Sequence, residues 1–107
     1  MLLKFVQEIF QYYGVSRAHA LKWAEVLIWA NLRGVDSHGV LRIPVYVDYL
    51  QTGIINAQPD MKLDPLTGAI ARLDADLGPG PIALIYAMDE AIKKAKKFNI
   101  GWCTVCN

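Results

Sequence analysis

The sequence has no surplus of charge: 11 basic residues stand against 10 acidic ones, for a net charge of +1. A domain that grips nucleic acid concentrates Lys and Arg on one face, so this balance leaves no electrostatic footprint for such a partner. Long apolar runs are missing as well. Lys4, Glu8, Lys22, Glu25 and Arg33 interrupt the N-terminal third. Nothing approaches the roughly 20 residues that a membrane span needs. The opening MLLKFVQEIFQ places Lys4 and Glu8 inside its short apolar stretch, which argues against a secretory signal. Cysteine is scarce, with Cys103 and Cys106 alone. Two cysteines without a secretory signal lead us to expect reduced thiols and a cytoplasmic protein. Internal repeats and low-complexity segments are absent.

Apolar residues are what the chain has in plenty. They make up 54% of its 107 residues, with three Trp and five Tyr among them. The usual share is about 45–50%, and that range also counts Gly. A chain this short cannot cover so much apolar surface by itself. We therefore expect it either to oligomerise or to be one piece of something larger.

Periodicity divides the chain into helices first and a sheet second. Leu2, Leu3, Phe5, Val6, Ile9, Phe10 and Tyr13 recur at helical spacing, and Gly14 stops that helix. Ser16 is a suitable N-cap for a second helix running to Leu32, where Gly34 ends it. Leu21, Ala24, Val26, Leu27, Ile28 and Trp29 cover more than one of its faces, which predicts burial on two sides. Pro44 opens a short helix closed by Gly53. The piece IINAQPDMKLDPLTG reads as loop, and AIARLDA at 69–75 as a strand. A helix from Pro81 to Phe98 follows, with Ile85, Met88, Ile92 and Ala95 on one side, and IGWCTVCN reads as a last strand. Strand, helix and strand form a βαβ unit, which demands parallel pairing. The expected fold class is α/β (α+β): a helical segment at 1–55, then at 56–107 the start of a mixed or parallel sheet flanked by helices.

Three stretches are candidates for chemistry. GVDSHGVLR, from Gly34 to Arg42, places Asp36, Ser37, His38 and Arg42 between two helices. One reading makes Gly34 a C-cap and Asp36 or Ser37 an N-cap, with His38 a passenger. The other is chemical. Imidazole exchanges a proton near neutral pH, and guanidinium grips a carboxylate through two parallel hydrogen bonds. If the turn is helical, the spacing puts His38 and Arg42 on one side. A proton donor beside a carboxylate clamp suits a 2-oxo or 2-hydroxy acid. The second stretch, Cys103-Thr104-Val105-Cys106, has CxxC spacing. It lies in a strand, however, where residues three apart point to opposite faces, so ordinary strand cysteines are favoured over a metal or redox site. The third, Asp76-Leu77-Gly78-Pro79-Gly80-Pro81, could pass for a phosphate-cradling turn, but its prolines remove donors and a structural turn is favoured. FQYYGVSRAHALKWAEVL also has the outline of a helix-turn-helix, yet its second helix lacks an exposed basic face and reads as core.

RGVDSHGVLRIPVYVDYLQTGIINAQP resembles the N-terminal signature of the malate/L-lactate dehydrogenase family that lacks a Rossmann domain. The match continues through TGAIARLDADLGPGPIALIYAMDEAIKKAKKFNIGWCTVCN. That family includes malate, L-lactate, L-sulfolactate, ureidoglycolate and diketogulonate enzymes. The resemblance implies an oxidoreductase that moves hydride between NAD or NADP and C2 of a small 2-hydroxy or 2-oxo acid. It gives His38 a role in proton transfer or substrate orientation, Ser37 that of its hydrogen-bonding neighbour, and Arg42 the substrate carboxylate. It also implies a homodimer with active sites near the subunit boundary. Family members are much longer. After the asparagine matched by Asn107 they continue into Ser/Thr-x-His-Phe-Gly and most of the cofactor-binding region. The expectation is therefore a front portion, inactive alone. The rival reading is a non-catalytic helical association module.

Overall fold

Alternating apolar positions at three and four residues build the first helix, α1, over Leu2–Tyr12, and it turns Val6 and Phe10 inward. The computed structural model describes all 107 residues, Met1–Asn107. They form two units, Met1–Gln58 and Pro59–Asn107. In the first, α1 ends before Gly14, whose φ of +93° few other residues adopt without strain. Its carbonyl accepts from Gln58 Nε2 at 3.2 Å. Ser16 caps α2, Arg17–Leu32, by accepting from the His19 amide at 3.3 Å.

The buried residues of α2 are Ala20, Trp23, Ala24, Leu27 and Ala30, which lie along a single stripe. Burial on two sides is thus corrected: Val26 and Ile28 are half-covered, and Trp29 and Leu32 are exposed. Inside this unit α1 and the turn that follows α2 lie against it, and Tyr46 of the next helix reaches Trp23. The alanines let α1 approach closely, and Trp23 fills the remaining space. Its ring stacks on Phe10 with centroids 4.1 Å apart and planes 8° from parallel. Wholly buried side chains of this size each contribute about 1.5–3 kcal/mol. Two 3₁₀ turns, Asp36–His38 and Val40–Arg42, lead into α3, Ile43–Thr52, which Gly53 closes at φ +79°.

The second unit holds a three-stranded mixed sheet in the order β1-β2-β3. β2, Ile70–Asp74, pairs parallel with β3, Trp102–Cys106, and α4, Gly80–Phe98, connects them, as the βαβ reading requires. β1, Lys62–Thr67, was expected as loop and is a strand, antiparallel to β2 with Leu63 opposite Leu73. Asp64 and Pro65 are the reason it resembled loop. Both are tolerable because β1 is an edge strand, and the register shifts between Asp64 and Thr67, where the proline sits.

α4 covers one face of the sheet through Ala83 and Ala87, packed on Leu73 and Ala75 with Met61, Leu63 and Cys103 at the margin. Of the stripe legible in the sequence, Ile85, Met88 and Ile92 are exposed, whereas Ala95 is half-buried. Small residues win the sheet-facing side because the connection is tight. A Cβ placed on Gly101 would run into the backbone of Ala91 and Ala95. Gly101→Ala is therefore expected to lower stability by about 1–3 kcal/mol, the usual range for overpacking. Urea denaturation would read this as a lower midpoint, and an unchanged midpoint would contradict the close approach.

Asp74 contributes to the acid side of the stability curve. Its Oδ1 accepts from the Asp76 amide at 3.0 Å and from Asn107 Nδ2 at 3.3 Å. These bonds, the Asp76 amide foremost, hold its carboxyl below the usual carboxylate range. Because the folded group titrates below the unfolded one, its stabilisation is complete above the ordinary carboxylate pKa and fades as pH falls through the folded value. Asp74→Asn is expected to flatten the stability profile in that acidic window, with no change of shape between neutral and mildly alkaline pH. Denaturant midpoints taken across pH would test it.

Candidate active site

The end of α2 makes the site. Val35 N–H donates to Ala30 O at 2.9 Å, and Gly34 takes φ +76°, so the chain leaves the helix sharply. Neither Asp36 nor Ser37 acts as an N-cap. Asp36 Oδ1 accepts from Asn31 Nδ2 at 2.8 Å, and Ser37 Oγ lies 3.0 Å from His38 Nδ1. The capping interpretation of these two side chains is therefore replaced.

The Ser37–His38 contact divides the work of the imidazole. Whichever partner supplies the hydrogen, Nδ1 is engaged and Nε2 takes no part in this contact. Ser37, His38 and Arg42 are all exposed. His38 and Arg42 do not share one helical face as expected, because the segment is not one helix. Gly39 separates the two 3₁₀ turns with an extended ψ of −149°, so helical i,i+4 geometry does not apply across it. Gly39 is buried, and a Cβ there would collide with the Asn31 amide.

Arg42 is backed by aromatic rings. Its guanidinium carbon lies 5.7 Å from the Tyr46 ring centroid, and Tyr46 in turn lies 5.1 Å from Trp23 at 52°. A column of Phe10, Trp23 and Tyr46 thus joins the core to the guanidinium. Cation–π contact of this kind orders the side chain while leaving its N–H groups outward. Sequence reasoning missed Asn31 and Tyr46. Tyr46 follows Arg42 by four residues, the spacing that brings side chains together around a helix start.

The other candidate stretches behave differently. Cys103 pairs across the sheet with Ala71 and packs towards α4; Cys106 pairs with Asp74, on the opposite face. Both are free thiols, and burial pushes that of Cys103 up. In the turn before α4, Leu77 N–H donates to Asn107 O, Gly78 N–H to Ala75 O, and Ile82 and Ala83 N–H to Pro79 O. With these donors spent and two prolines in place, the turn does not fit the pyrophosphate of a dinucleotide. No helix is long and apolar enough to cross a membrane.

With four helices and a mixed three-stranded sheet, the chain is an α/β protein. Its sequence matches the malate/L-lactate dehydrogenase model over residues 1–107, and the chain belongs to that family. It is 39% identical over 98 residues to L-sulfolactate dehydrogenase of Methanocaldococcus jannaschii, covering 92% of this chain and 28% of that protein. Identity to malate dehydrogenase of Pyrococcus abyssi is 40% over 106 residues, or 99% of this chain and 29% of that one. The solved malate dehydrogenase of Pyrococcus horikoshii OT3 superposes with a TM-score of 0.93 at 36% identity, over 97% of this chain and 30% of that one. The chain spans about three-tenths of the length of these relatives.

Proposed function

We propose that this chain supplies the substrate side of an NAD- or NADP-dependent dehydrogenase acting on a small 2-hydroxy or 2-oxo acid. The observation that carries the reading is one short turn presenting an imidazole with a single engaged nitrogen and a ring-backed guanidinium. Family membership supports it, as do relatives named as malate and L-sulfolactate dehydrogenases. Arg42 holds the carboxylate through paired, charge-assisted hydrogen bonds. His38, steadied by Ser37, hands a proton to the C2 oxygen when the oxo acid is reduced and takes it back when the hydroxy acid is oxidised. Hydride chemistry belongs to the nicotinamide, which the turn before α4 does not hold. The same reading makes the protein a cytoplasmic homodimer. It also has the 107 residues bind the acid without turning it over by themselves.

Oxamate, an unreactive analogue of a 2-oxo acid, tests this directly. Titrated into the labelled chain, it is expected to shift the NMR signals of residues 37–42 in a saturable way, while acetate shifts them weakly. The absence of saturable shifts in that segment would remove the reading. NADH or NADPH oxidation with pyruvate and oxaloacetate, followed in parallel, tests the division of labour. Turnover by these residues alone would overturn it.

A further inference from the structure

One side-chain amide holds the site segment at both ends. Asn31, half-buried on the last turn of α2, donates from Nδ2 to Asp36 Oδ1 at 2.8 Å and accepts the Val40 N–H on Oδ1 at 2.9 Å. Between those anchors lie Ser37, His38 and Gly39. Gly39 closes the arrangement from the third side, because it is buried where any side chain would displace the Asn31 amide. The backbone adds its own bonds, with His38 N–H on Val35 O and Arg42 N–H on Gly39 O, each at 3.0 Å. Those bonds shape each 3₁₀ turn but do not fix one turn relative to the other. Only the Asn31 amide reaches both.

We propose that Asn31 is the positioning residue of this site: its amide sets the angle between the two 3₁₀ turns and so determines whether His38 and Arg42 face the same ligand. This rests on the acid-binding reading above. Helical spacing does not align His38 with Arg42, because Gly39 interrupts it, so something must fix the break. A primary amide is suited to the task, since it carries a donor and an acceptor in one rigid plane. Alanine offers neither group, and leaves the Val40 N–H and the Asp36 carboxylate to water.

The test exchanges the chemistry across the pair. Asn31→Ala removes both bonds. Asn31→Asp combined with Asp36→Asn restores them in reverse sense: residue 31 still accepts from Val40, and residue 36 now donates to it. Oxamate affinity, Val40 amide exchange, the ring-nitrogen chemical shifts of His38 and the thermal midpoint are measured for wild type and both variants. For Asn31→Ala we expect roughly tenfold weaker oxamate binding and roughly tenfold faster Val40 exchange, the scale of one lost hydrogen bond. The midpoint should stay near that of wild type, and the double variant should recover binding and exchange together. Wild-type binding and exchange in Asn31→Ala would overturn the proposal. So would a double variant with a wild-type thermal midpoint that recovers neither site property. If wild type itself does not bind oxamate, the functional reading fails. Val40 exchange and the His38 ring-nitrogen shifts then decide the role of Asn31, and their constancy in Asn31→Ala overturns it.

Discussion

Replacing Arg42 by alanine is expected to weaken 2-oxo acid binding by about a hundredfold, the loss of roughly 3 kcal/mol carried by two charge-assisted hydrogen bonds. The side chain is exposed, so its removal opens no cavity and leaves no buried partner behind. Stability should then stay within about 0.5 kcal/mol of wild type, as for most surface substitutions. Arg42→Lys separates charge from shape. Lysine keeps the positive charge but has no planar fork and cannot lie flat over Tyr46, so roughly a tenfold deficit should remain. Calorimetric titration with oxamate would show the order wild type, Lys, Ala. Binding of the alanine variant within a factor of about two of wild type would mean that the carboxylate is held elsewhere. The backing ring gives the prediction its size. A guanidinium resting on Tyr46 has already lost part of its rotamer freedom, so less remains to be lost on binding.

The second large effect lies in the core. Trp23→Ala is expected to destabilise the chain by about 3–5 kcal/mol, the range for emptying a buried aromatic site. Trp23 is fully buried between Phe10 and Tyr46, so truncation leaves both rings without a face to pack on. Native domains hold only about 5–15 kcal/mol in reserve, so this change consumes a large part of it. Trp23→Phe should behave very differently. The indole Nε1 is buried with no hydrogen-bond partner, and leaving such a donor unpaired costs about 1–3 kcal/mol. Phenylalanine gives up volume but also removes that donor, and the two effects offset each other. Denaturation followed by circular dichroism should place Trp23→Phe within about 1 kcal/mol of wild type and Trp23→Ala far below it. Equal losses in both variants would mean that indole shape alone governs the site. The effect should also reach the surface, because Tyr46 loses its support and Arg42 its ordered platform.

Much of this was legible in the residues. The Ser16 cap, the glycine stops after α1, α2 and α3, and the parallel β2–α4–β3 unit were all read from spacing and turn chemistry. Those signals are local, carried by a few neighbouring residues whose backbone preferences leave little choice. β1 was not legible, because a strand at a sheet edge can carry Asp64 and Pro65, which in isolation read as punctuation. The direction of α4 was not legible either. Periodicity placed Ile85, Met88, Ile92 and Ala95 on one side without saying which side is covered, and the short approach of Gly101 to Ala91 and Ala95 selects the alanine side. For the site, the residue types at Ser37, His38 and Arg42 declared themselves, but their arrangement did not.

By itself the sequence determined the four helices, the strands β2 and β3 and where they stop, which residues carry imidazole and guanidinium, and the family to which the pattern is similar. Each of these is set by nearest neighbours or by a motif read in order. Tertiary structure alone decided which face of α2 and α4 is covered, that β1 joins the sheet, and that Asn31 and Tyr46 support the turn between the helices. Those outcomes depend on contacts between residues distant along the chain or across a break in helical geometry, where close packing and donor–acceptor matching choose among faces that the sequence leaves equivalent.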